Sequence, residues 1–209
     1  AADAIRLGRE TDQRAGGEFL LTVAALLPRL PDGRGTGDYL DWIGAGLAGT
    51  LSPNPAPFDL FALVQRLAAV MGNADLTIVP GVPEWVAGDQ RLLEAAGSAL
   101  LPASSGSRPA LRVDQPDRGQ TDGIRFTVEE RPDDVDAERT DRIAAALKDG
   151  HANGANPLLE CRAAHHLARA LGGEAGLDRD RSLLRLWITV PLPAAVAPPG
   201  VPPVDDRVA

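Results

Sequence analysis

"GIRFTVEERPDDVDAERTDRI", Gly123 to Ile143, changes character half-way along. Up to Glu130 the apolar residues Ile124, Phe126 and Val128 alternate, which sets them on one face of a β-strand. The acidic run "EERPDDVDAERTD" that follows reads as a solvated loop and the first turn of a helix, where carboxylates favour the positive end of the helix dipole. The helix itself is expected around Asp136 to Lys148.

Such a strand needs neighbours. Alternation recurs in "ALRVDQ" from Ala110 and in "LLRLWITV", where Leu184, Leu186, Ile188 and Val190 share a face. A shorter strand is expected in "DLTIVP" from Asp75. Helical spacing appears in Leu92, Leu93, Ala96 and Leu100, and in Leu60, Leu63, Val64, Leu67 and Met71, the latter behind a capping Asp59. In "NPLLECRAAHHLARALGGEAGL", Asn156 to Leu177, a helix from about Leu158 to Leu171 ends on a glycine pair and runs into a strand. The order helix, strand, helix, strand, strand, helix, helix, strand, strand predicts an antiparallel-rich sheet with helices on one face, a two-layer α/β sandwich.

Upstream, Phe19, Leu20, Val23, Leu26, Leu27 and Leu30 recur at three- and four-residue steps and form one helical seam. "PRLPDGRGTG" stops that helix, with Pro28 and Pro31 ending it early. A second helix follows in "DYLDWIGAGLAGTL", with Leu40, Ile43, Leu47 and Leu51 on one side, so the pair should form an antiparallel hairpin. Its "GAGLAG" matches G-x-G-x-x-G, but no strand precedes it and no acid follows at the required distance. Small residues that let two helices approach closely account for it better. "SPNPAPFDL", with prolines at 53, 55 and 57, marks a domain boundary. The expected organisation is a hairpin over 1–52, a sandwich domain over 57–193 and a proline-rich tail over 194–209, extended like a spacer.

Composition narrows the function classes. A chain of 209 residues, 44% hydrophobic, can bury one substantial core with a helical appendage. A net charge of -8 and a pI near 4.9 oppose direct binding to a phosphate backbone. The single cysteine, Cys161, excludes an internal disulfide and a cysteine-rich zinc site. No run approaches the ~18 apolar residues of a membrane span, and "AADAIRLGRETDQR" lacks a signal peptide's apolar centre, so a cytoplasmic protein without direct membrane contact is expected. Without an initiating Met, the chain resembles a segment of something longer.

From about residue 15 to residue 193 the order of elements and five short strings resemble the transmitter core of a sensor histidine kinase. "GGEFLLTVAAL" is similar to the entry into the phosphoacceptor helix, and "APFDLFALV" to the start of the ATP-binding domain. "VPEWVAGDQRLLEAAGSALL" looks like the helix that presents metal-binding asparagines, and "GIRFTVEERPDDVDAERTDRI" like the strand and loop that hold adenine. "LARALGGEAGL" through "LRLWITVPLP" resembles the closing helix and strands. The resemblance implies an α+β fold, a helical dimerisation hairpin followed by an ATPase domain of the Bergerat type.

It does not extend to the chemistry. The phosphoacceptor position falls on Ala25, or on Thr11 in an alternative register, and no histidine precedes His151. The family's two asparagines, the later of which holds Mg²⁺, fall on Ala99 and Ala103, and alanine offers no oxygen to a hard cation. In the adenine loop an aspartate and two glycines are replaced by Glu130, Pro132 and Asp134. Glu130 could still accept a hydrogen bond, but Pro132 lacks an N–H and Asp134 adds repulsion. At the lid, where the family carries three alternate glycines whose bare amides hold phosphate, stand Asn156, Leu158 and Glu160, with Pro157 removing a donor.

Other candidates carry less. Cys161 and His165 share a helix face without a third ligand nearby in sequence, and packing explains them better than a metal. His165 and His166 lie about 100° apart around the helix, so one is expected towards solvent and the other towards the sheet. Ser104, Ser105 and Ser107 form a loop with no neighbouring base.

The expected function is a non-catalytic histidine-kinase-like signalling module without catalytic, cofactor-binding or metal-binding residues. Its hairpin, through Phe19, Val23, Leu26, Ile43 and Leu47, would form a homodimer, with a receiver domain or a kinase as further partner. Two alternatives stay open. One is a divergent kinase or ATPase that binds nucleotide through Glu130; the other is an ATP-independent phosphotransfer protein using His165 or His166.

Overall fold

The computed structural model describes residues 14–17, 34–72, 74–100, 109–116, 123–130, 137–149, 159–180 and 183–199. In chain order the elements are α1 (Arg34–Ala48), β1 (Ala56–Asp59), α2 (Leu60–Val70), β2 (Asp75–Ile78) and β3 (Trp85–Gly88). They continue with α3 (Gln90–Leu100), β4 (Ala110–Asp114), β5 (Ile124–Glu130), α4 (Ala137–Asp149), α5 (Leu159–Ala170), β6 (Glu174–Asp180) and β7 (Leu183–Val190).

Alternation in β5 and β7 does what it predicts. The five-stranded sheet runs β2-β4-β5-β7-β6, with β2 parallel to β4 and every other pairing antiparallel. Phe126 pairs with Ile188 and Val128 with Leu186, so their side chains leave the same face and are buried. That face packs against helices α3 and α5. Each such large apolar side chain contributes roughly 1.5 to 3 kcal/mol through removal from water.

The opposite face is polar and internally paired. Arg112 Nε donates to Asp114 at 2.7 Å, and Arg185 Nε donates to Glu129 at 3.0 Å. Arg125 donates to Thr189 Oγ1 and lies 4.4 Å from the centre of the Trp187 ring. Beneath these long side chains Thr127 and Thr189 are buried. Trp187 is directly opposite Gly176, the residue whose missing side chain makes room for the indole.

β1 and β3 form a second, antiparallel sheet. The sequence shows a chain break there, because both strands have only four residues and Pro57 stands within β1. As an edge strand, β1 tolerates a residue without an N–H. The proline-rich tail also departs from the expected free spacer. Ala87 N donates to Pro193 O at 2.9 Å and Ala195 N to Trp85 O at 2.8 Å, with Ala194 bridged to Val86 and Leu192 buried.

Helix α1 docks on α5. Residues 14–17 are helical, and Gly17 sits against α1, where a Cβ would fall 2.6 Å from Gly44 O. Small residues thus let helices approach, as "GAGLAG" suggests. No helix among the described residues is long and apolar enough to cross a membrane.

Candidate functional site

The cleft suggested by the sequence would lie between α3, the end of β5 and the start of α5. Asp89 sets the direction of α3: its Oδ1 accepts from Leu92 N at 3.0 Å, a capping contact, and its Oδ2 accepts from Asn54 N at 2.9 Å. Burial pushes this carboxyl up, but the Asn54 and Leu92 amides, with Arg91 nearby, outweigh it and hold it below the ordinary aspartate range. Ten residues further on, Ala99 is fully buried and presents only a methyl group. It stands at the first of the two asparagine places; the later one, Ala103, where the resemblance puts the Mg²⁺ ligand, lies outside the described residues.

Glu130 ends β5 opposite Leu184 and is only 2% exposed. Its side chain is therefore largely enclosed by protein. Glu160 stands in the first turn of α5, half-buried. Across from it is Tyr39 of α1, whose phenol is raised above its ordinary value by burial, then by the Glu160 charge, then by Asp38. Tyr39 also meets Trp42 edge-on, with ring centroids 5.8 Å apart. An acid and an aromatic pair thus border the first turn of α5.

The two histidines depart from the expected division between sheet and solvent. Both are half-buried. His165 Nδ1 lies 2.8 Å from Leu147 O on α4, so that nitrogen carries the proton and donates. His166 meets His165 edge-on at 5.2 Å and packs against Gly46 of α1. Each ring tethers a neighbouring helix. Cys161 is buried in the core, and among the described residues no group of three or more His, Cys, Asp or Glu could hold a metal.

Ile43, expected at a seam between two chains, is fully buried within this one, and Leu47 packs partly against the same core. Phe19, Val23, Leu26, Thr11, Ala25, Ala103, Pro132, Asp134, His151, Asn156, Pro157, Leu158 and the serines at 104, 105 and 107 lie outside the described residues. Sequence reasoning missed Tyr39 and the second role of Asp89. Asp89 carried a signal, since Asp before a helical apolar pattern is a cap. Its long-range partner Asn54 carried none.

The fold has counterparts among solved structures. An Acinetobacter baumannii histidine kinase, AdeS, superposes with a TM-score of 0.54 over 73% of this chain and 75% of its own, at 15% identity. The chain has a histidine-kinase fold. Full-length ShkA, solved in complex with AMPPNP, superposes with a TM-score of 0.52 at 16% identity, over 90% of this chain and 45% of that one. No protein-family model matches the sequence, and no curated protein matches it. The likeness is one of fold, at identities too low to bring any activity with it.

Proposed function

We propose that this chain is a non-catalytic signalling module built on the histidine-kinase fold, acting by binding proteins rather than by transferring phosphate from ATP. The observation that carries the reading is Ala99, whose methyl group is sealed in the core at the first of the two places where the resembling helices present an asparagine. Glu160 in the first turn of α5 supports it, because a carboxylate there repels the triphosphate that a helix N-terminus would otherwise attract. The proposed partners are a second copy, meeting the hairpin through Phe19, Val23, Leu26 and Leu47, and a receiver domain or kinase. Ile43 is spent on this chain's own core. The proposed setting is cytoplasmic.

Calorimetric titration with Mg-ATP tests the reading. The expected result is no saturable heat. Binding tighter than about 100 µM, worth roughly 5.5 kcal/mol, would overturn it in favour of a divergent nucleotide-binding enzyme.

A further inference from the structure

The route from α1 into the sheet domain is fastened at every step. Gly46 of α1 faces His166 so closely that a Cβ would lie 2.6 Å from the His166 Cβ, a distance that packed carbon atoms do not reach. Three residues earlier, Ile43 is inserted into the core. α1 ends on Gly49 with φ +68°, and Thr50 N donates back to Ala45 O at 2.9 Å. Leu51 packs on the core, and Asn54 N is held by Asp89 Oδ2. The remaining linker positions include Pro53, Pro55 and Pro57, each with a locked φ. A hinge requires a few residues free to absorb backbone rotation. Here each residue is docked, hydrogen-bonded or next to a proline.

We propose that α1 and the sheet domain form one rigid body, clasped at Gly46–His166 and at Asn54–Asp89, so that a protein partner meets a single fixed surface. This deepens the reading of the chain as a binding platform and rests on it, since a fixed surface suits recognition.

Spin labels at Asp41→Cys and Gln65→Cys, both at exposed positions on α1 and α2, report the relation of the two parts; Cys161 is buried and stays unlabelled. Pulsed dipolar spectroscopy should give one narrow distance distribution. Adding Gly46→Leu should shift it outward and broaden it, because a side chain there cannot coexist with His166. Asp89→Asn keeps an oxygen to cap α3 but loses the acceptor for Asn54, so amide exchange should quicken at Asn54 and stay slow in α3. A distribution in the parent pair as broad as that with Gly46→Leu would overturn the proposal, as would an Asn54 amide that exchanges freely before any substitution. Mg-ATP titration of the same labelled protein separates the two ideas. Binding with a narrow distribution defeats the platform reading and leaves the rigid body standing, whereas a broad distribution without binding defeats the rigid body alone.

Discussion

Asp89 serves two amides that lie far apart in sequence, Leu92 N at the start of α3 and Asn54 N in the linker. Asp89→Ala removes both acceptors and should lower stability by about 1 to 3 kcal/mol. Asp89→Asn should cost less, since one capping oxygen remains. Urea midpoints of the three proteins, with unchanged slopes, check the order.

The same carboxyl predicts a pH effect. Its folded value lies below its unfolded one, so its contribution is complete above the unfolded pKa of about 3.9 and is lost as pH falls through the folded value. Denaturation followed from neutral pH downward should show parent stability falling more steeply than that of Asp89→Asn in the acid range. Parallel curves would contradict the assignment.

Tyr39 is the chain's single tyrosine, so alkaline titration of phenolate absorbance reads one group. Its midpoint should lie above the ordinary value of about 10, because burial and the charges of Glu160 and Asp38 oppose ionisation. Glu160→Gln should lower the midpoint. Stability associated with the neutral phenol is present below the unfolded pKa and is lost as pH rises through the folded one.

Ala99→Asn restores the residue type at the first of the two asparagine places of the resembling helices, yet the site is fully enclosed. An amide placed there without partners should cost about 1 to 3 kcal/mol and confer no Mg-ATP binding. Thermal denaturation with and without Mg-ATP measures both outcomes at once. A rise in midpoint with nucleotide would mean that the asparagine missing at this place had been enough to prevent binding.

Arg125 covers Trp187 on the polar face of the sheet. Arg125→Ala should weaken stability by about 0.5 to 1 kcal/mol through loss of the ring contact. It should also move tryptophan emission to longer wavelength as water reaches the indole. The indole Nε1 is buried without an acceptor among the described residues.

Much of this architecture was legible because it is local and periodic. β5 and β7 were visible in Ile124, Phe126 and Val128 and in Leu184 to Val190, since a two-residue period sustained over seven and eight residues fits a strand and not a helix. β1 and β3 were not, because four residues cannot establish a period and Trp85–Gly88 merges with the start of a helix. Ile43 shows a second limit. Helical spacing told that its face was apolar, but the same pattern serves a partner chain or the chain's own α5 equally well. Ala99 and Glu160 were legible by residue type alone. The Tyr39–Glu160 neighbourhood was not, since it depends on how α1 lies across α5.

The pairing of residues 193–195 with β3 has a bearing on solution behaviour. With β1 on one side and the chain's own Pro193–Ala195 on the other, neither margin of β3 offers bare amides and carbonyls to a foreign strand. Clipping the chain at Pro191 would uncover that margin beside the apolar gap left by Leu192, and self-association growing with concentration would be the expected symptom.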